Sequence, residues 1–226
     1  MIFRTTLMLC LFAADDSAVR RDDHLIKGIE QAQLAREEGI AGYSVMERYA
    51  LNNSRFNESA EMTVAVSYTK GEGKVYRVVS RKGPSFLQSS VFDRVLKEEI
   101  ALSFGNSRLA ALVIPANYQM KWIGRQMLEG RNCEVVELEP RKKSLHLLRG
   151  KAWVDAASFK LIRIEGKPTA SPTFWASSPL VVRDYIEIGD FSFASRSHAL
   201  SQSFLLGRSE LNVEYSDYQI STAGIK

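Results

Sequence analysis

Between Gly150 and Gly166 the chain reads GKAWVDAASFKLIRIEG, and no other stretch restricts the fold as much. Residues 151–154 and 159–164 are rich in β-branched, aromatic and alternating charged side chains. Asp155-Ala156-Ala157-Ser158 between them suits a four-residue turn, so the segment predicts a β-hairpin. Arg163 and Glu165 fall on one face of the second arm with Leu161, and Ile162 and Ile164 on the other. That is the pattern of a sheet buried mainly on one side. An antiparallel, sheet-based core follows.

The rest of the chain extends that sheet. Two-residue alternation predicts strands over 41–51, 58–69 and 74–81; in the second, Met62, Val64, Val66 and Tyr68 alternate with Glu61, Thr63, Ala65 and Ser67. Gly71-Glu72-Gly73 closes the hairpin that follows. The period then changes. Val91, Val95, Ile100 and Leu102 among charged residues predict a helix over 90–103, and a second short helix over 107–113 must end before Pro115. From Asn117 onward strands are predicted over 118–128, 133–139, 144–154, 159–168, 181–188, 191–200 and 203–220, the last broken near Gly207. The expected fold is α+β and mainly antiparallel β. It is a curved sheet or incomplete barrel of about 10–11 strands in up-and-down order, with two or three helices as plug or lid.

A curved sheet of that size is wider than its own side chains fill, which leaves a hollow for an apolar guest unless a helix plugs it. Tyr118, Met120 and Trp122 share one face of their strand. They read either as core beneath the helices or as the lining of a lipid cavity, and the residues alone leave both open. With Met62, Val64, Val66 and Trp153 they form the candidate cavity set.

The N-terminus suggests export. A positive start at 1–4, mostly apolar residues at 5–14, and then Asp15, Asp16 and Ser17 have the layout of a short secretory signal over 1–18, followed by a single domain over 19–226. The apolar run is shorter than the ~20 residues that a membrane span needs. Removing the segment takes Cys10 with it and leaves Cys133 alone, so no internal disulfide is expected. A helix with a thin apolar stripe is predicted over 19–38, with Gly39 as its stop. The formal charge of +4 is spread among acidic residues along the whole chain, which argues against a nucleic-acid partner.

No catalytic site, metal site or cofactor is predicted. The chain has no HExxH, no CxxC pair, no GxSxG elbow and no glycine-rich phosphate loop. His24, His146 and His198 lie far apart in sequence and suggest no constellation. Arg183, Arg196 and Arg208 form a basic strip only if strand register brings them together.

Five segments resemble, in order and spacing, the outer-membrane lipoprotein-sorting proteins of the LolA-like superfamily. They are Asn117-Tyr118-Gln119-Met120, GRNCEVVELEPRKKS, the 150–166 hairpin, SPTFW at 171–175 and LLGRSELNVEYSDYQI near the end. The likeness covers about residues 41–220. It implies an incomplete antiparallel barrel closed by a helical lid over an apolar cavity that shields acyl chains. An exposed chain costs about 0.8 kcal/mol per methylene in water, so hiding it makes passage between membranes feasible. It also implies a lid-locking or headgroup-contacting arginine, for which Arg48 in the first strand is the candidate. Two functions are carried forward: a periplasmic carrier of lipids or lipoproteins, and a periplasmic interaction or sensor module with an envelope protein partner and no lipid transfer.

Overall fold

The computed structural model describes residues 10–55, 58–170, 178–203 and 207–224. Helix α1 (Cys10–Gly39) leads into β1 (Ile40–Asn53), β2 (Glu58–Thr69) and β3 (Gly73–Lys82). Short helices follow: α2 (Ser85–Leu87), α3 (Asp93–Leu102) and α4 (Gly105–Leu109), with a π-helical turn over Gln88–Phe92 joining the first two. The remaining strands are β4 (Tyr118–Leu128), β5 (Arg131–Pro140), β6 (Leu148–Asp155), β7 (Leu161–Pro168), β8 (Leu180–Ile188), β9 (Phe191–Ser203) and β10 (Gly207–Thr222).

Ten strands form one antiparallel sheet in the order β3-β2-β1-β10-β9-β8-β7-β6-β5-β4. Chain neighbours are sheet neighbours with one exception. β1 pairs with β10, so the ring of strands stays open between β3 and β4 and not between the first and last strands. The helical connection explains this: the segment between β3 and β4 is spent on α2 to α4, while Tyr49 and Leu51 of β1 bury into the same core as Leu211 and Val213 of β10. The product is an α+β incomplete barrel.

The 150–166 hairpin forms as expected. Phe159 N donates to Asp155 O and Asp155 N to Lys160 O, both at 2.9 Å, and Asp155 Oδ1 accepts from the amides of Ala157 and Ser158. Gly150 and Gly166 prove to be a cross-strand pair. A Cβ on Gly150 would lie 2.0 Å from Glu165 O and one on Gly166 2.4 Å from Arg149 O, so this crossing requires both glycines. One detail is corrected. The second arm begins at Leu161, because Phe159 sits in the turn at φ 56, and a bulge in the β6–β7 register puts Leu161 with Ile164 and places Ile162 across the sheet beside Trp153.

Three boundaries also move. β6 starts at Leu148 and not at 144, because Ser144 Oγ accepts from His146 N (3.0 Å) while Thr169 Oγ1 accepts from Ser144 N (2.9 Å), which folds this stretch into a local turn. α1 begins at Cys10, not at 19, and runs unbroken through 15–18. The expected 203–220 strand begins at Gly207. The SPTFW segment at 171–175 lies outside the described residues.

Two larger clusters, and a smaller one around Ile40, Tyr68 and Phe193, cover the inner face of the sheet. Leu25 and Ile29 of α1 pack on Tyr118, Val136, Leu138, Ala152 and Val154. Leu87, Phe92 and Leu96 of the α2–α3 segment pack on Tyr49, Met62, Val64, Val66 and Val213. Each fully buried aliphatic side chain contributes roughly 1.5–3 kcal/mol, so both ends of the sheet are firmly capped. The middle of the sheet remains between them.

Candidate functional site

A cavity of about 300 Å³ occupies that middle. β1 supplies Tyr43, Val45 and Glu47; β8 supplies Val181, Arg183 and Tyr185; β10 supplies Tyr215 and Tyr218; α1 contributes Gln33 and Arg36, and α3 contributes Glu99 and Leu102. Strand alternation explains the choice in β1 and β8, where residues two apart share a face, while in β10 the irregularity at Asp217 (φ 57) brings Tyr215 and Tyr218 to the same lining. The lining has two characters. Val113, Leu148, Leu161 and Ile164 continue the α1 cluster as an apolar wall, and Glu47, Lys74, Glu99, Arg183 and Tyr215 bring charge and hydroxyls to the rest of the lining, Arg183 directly across from Ile164 in the sheet.

Lys74 Nζ meets Glu99 Oε2 at 2.7 Å, and Ser103 Oγ accepts from Lys74 N at 2.7 Å. Together these contacts tie the C-terminal end of α3 to the start of β3. The Lys74 ammonium holds the Glu99 carboxyl down to about 2, against the opposing effect of burial. Glu47, almost fully buried, accepts from Tyr49 Oη at 2.5 Å, and burial pushes its carboxyl above the ordinary value.

Arg183 is different. Its Nε is buried without a hydrogen-bond partner, and among the described residues no carboxylate lies within 4.0 Å of its guanidinium. Burial acts against its charge but is outweighed by the Tyr185 and Tyr215 hydroxyls and the Glu99 carboxylate, which hold its pKa up. Ser192 Oγ, also on the lining, has no partner either. One end of the cavity is sealed by the last turns of α1: Arg36 Nε donates to Ser192 O at 2.8 Å and lies over the Phe193 ring, and Glu37 takes a two-pronged ion pair from Arg108 of α4.

The sequence-derived site residues separate into groups. Tyr118 lines the cavity and accepts from Leu148 N through its hydroxyl at 3.1 Å. Met120 and Trp122 share its face but pack against the α1 cluster, with Trp122 Nε1 donating to Glu134 at 2.7 Å. Met62, Val64 and Val66 are covered by Phe92 and Leu96 and do not reach the hollow. Trp153 is on the opposite face. It pairs with Val135, packs with Cys133 and Ile162, and donates to Gln126 at 2.8 Å, whereas its neighbour Ala152 points inward. Arg48 is likewise outward, between inward Glu47 and Tyr49, within 3.5 Å of Glu61 and 3.6 Å of Glu214. It is therefore placed away from the hollow and from the helices that cover it.

The basic strip does not form. Arg183 faces the cavity, Arg196 pairs on the outer face with Asp184 and Glu129, and Arg208 pairs with Glu210. His24 stacks edge-on against Phe159, His198 contacts Glu210 on the outer face, and His146 lines the cavity near Glu98. Burial pushes the His146 imidazole below its ordinary value. Among the described residues no group of His, Cys, Asp and Glu could hold a metal, and no helix is long and apolar enough to cross a membrane. The charged wall was missed from sequence. Its available sign was a charge at an inward position of an alternating strand, as in Tyr43, Val45, Glu47, Tyr49 or Val181, Arg183, Tyr185.

No family model matches the sequence, and no curated protein matches it. Among solved structures the chain is similar to a LolA superfamily protein from Nitrosomonas europaea, with a TM-score of 0.47 and 10% identity over 90% of this chain and 94% of that one. It is similar to a putative outer membrane lipoprotein-sorting protein domain from Vibrio parahaemolyticus, with a TM-score of 0.48 and 14% identity over 92% and 95%. A MucA/MucB complex from Pseudomonas aeruginosa also matches, with a TM-score of 0.26 and 9% identity over 88% and 99%.

Proposed function

We propose that this protein is an exported binding protein that shelters the acyl chain of a lipid or lipoprotein in the hollow of its half-barrel. The observation that carries this reading is the cavity itself. A hollow of about 300 Å³ lies between two filled core clusters, against a continuous apolar wall of Val113, Leu148, Leu161 and Ile164. That volume is at the small end of ligand pockets, so the closed form takes one chain and larger cargo requires the helices to part. Parting α3 from the sheet edge would require breaking its contacts through Lys74, Glu99 and Ser103. Export through a signal over residues 1–18, with a periplasmic destination, belongs to the same proposal.

Native mass spectrometry of the full chain expressed with its N-terminal segment, before and after delipidation, tests this reading. A co-purifying mass equal to an acyl lipid supports it. Protein that emerges bare, and that takes up neither a lipid nor a simple alkyl alcohol, refutes it.

A second reading, an interaction module, draws on the free edge of the sheet. Edge strand β3 exposes Val75, Val78 and Val79, with Val75 at 64%. An extended segment of an envelope protein could add to such an edge, the hollow then serving only the fold. Cross-linking from position 75 that yields a discrete heterodimer with an emptied cavity would favour it.

A further inference from the structure

The cavity wall carries a cation without a direct ion-pair partner. Lys74 is satisfied by Glu99 at 2.7 Å, and Glu47 is satisfied by the Tyr49 hydroxyl, but Arg183 has neither a carboxylate within 4.0 Å among the described residues nor a partner for its Nε. Guanidinium groups stay protonated in proteins, and an interior charge left unmatched is costly unless something neutralises it. The Tyr215 hydroxyl, which burial keeps protonated, and the Lys74 ammonium line the same hollow, beside the Glu47 and Glu99 carboxylates that Tyr49 and Lys74 already engage. Ile164 is the direct cross-strand neighbour of Arg183, and Leu161 and Leu148 continue the same lining as its apolar part.

Resting on the reading of the cavity as an acyl-chain site, we infer that its guest is a single-tailed amphiphile with an anionic oxygen head, carboxylate or phosphate, seated on the Arg183 guanidinium with its tail along the apolar wall. A planar fork of N–H donors matches the paired oxygens of either head, and a charge-assisted pair of this kind is among the strongest contacts available to a protein. The tail supplies affinity in proportion to its buried methylenes, while the head fixes its direction. A neutral lipid would leave the cation without an ion-pair partner, so the site discriminates by charge.

Calorimetric titration of the delipidated full chain with decanoate, decyl phosphate, decanol and decylamine tests this. The anions are expected to bind about 10- to 100-fold more tightly than decanol, and decylamine more weakly than decanol. The preferred anion separates a fatty-acid guest from a phosphate-headed one. Arg183→Met should remove the anion preference while retaining decanol binding, and Arg183→Lys should retain part of it. Should Arg183→Met fail to fold, the wild type still decides: the carboxyl of carbon-13-labelled decanoate, followed by NMR, must titrate at lower pH when bound than when free. Equal affinity for decanoate and decanol, or an unshifted bound carboxyl, overturns the anionic guest while leaving an acyl-chain site intact. Binding of none of the four overturns both, and leaves the hollow as hydrated interior.

Discussion

Replacing Lys74 by Met tests whether the Lys74–Glu99 pair fastens α3 to the sheet. The pair is close, at 2.7 Å, with side-chain exposures of 14% and 30%. In the fold the Glu99 carboxyl titrates at about 2 and not at 4.5, chiefly because of the Lys74 ammonium. At about 1.4 kcal/mol per tenfold change in proton affinity, that displacement sets an upper value on the order of 3 kcal/mol at neutral pH. Glu99 keeps part of its surface open, which screens the pair, so about 2 kcal/mol is expected. For a domain of this size each kcal/mol moves Tm by roughly 2–4 °C, so Lys74→Met should melt about 4–8 °C lower at pH 7. The pH dependence has a definite sign. A carboxyl with a depressed folded pKa contributes stability above 4.5 and loses it as pH falls toward 2, so the wild type should lose this share on acidification and the variant should not. Asp155 and Glu187, whose carboxyls are also held down, are common to both proteins and cancel in the difference. Urea unfolding at pH 7, 4 and 2.5 measures the gap directly. A gap of constant size across that range would show that Lys74 acts through packing alone and would refute the electrostatic tether.

Glu47→Gln should stabilise the fold at high pH, because burial raises the Glu47 carboxyl and a raised acid contributes stability below 4.5 that is lost as pH climbs through its folded value. A gain of about 1 kcal/mol at pH 8 that vanishes near pH 4, read by thermal unfolding, is the expected result. Trp153→Ala should cost about 3–5 kcal/mol in urea unfolding but leave decanol and decanoate affinities unchanged in calorimetry, since Trp153 packs on the outer face with Cys133 and Val135. Gly150→Ala should destabilise by about 1–3 kcal/mol or more, because its Cβ would stand 2.0 Å from Glu165 O; an unchanged urea midpoint would show that the β6–β7 crossing yields more easily than its geometry suggests.

Most of the strands were legible because they obey a local rule. The β4 bounds match the sequence reading from Tyr118 to Leu128, and the hairpin around Asp155 follows from its turn residues. What eluded the sequence is set by contacts between distant segments. The pairing of β1 with β10 depends on one core shared by Tyr49 and Val213, and the helical joint between β3 and β4 fixes where the barrel stays open. The bulge at Ile162 is invisible for the same reason, since an extra residue in one strand shows only against its partner. Arg48 and Trp153 were misplaced because position along a strand does not say which phase faces inward until its neighbours are known.

The site was legible only in its apolar half, and the reason is physical. Apolar residues announce themselves by periodicity, so Tyr118 could be placed on an inner face from its own strand. Lys74, Glu99 and Arg183 come from β3, α3 and β8, and no local pattern links three charges so far apart in sequence. Each nevertheless departs from what its own element calls for, since an ionised group on an inward phase is tolerated only with a partner. Lys74 and Glu99 answer that demand for one another, and the tyrosines answer it for Glu47 through Tyr49. For Arg183 the answer is partial, from Tyr185, Tyr215 and the more distant Glu99, and its Nε stays unpartnered at a hollow, which is why the strongest functional signal in this fold is a single break in the alternation of β8: Val181, Arg183, Tyr185.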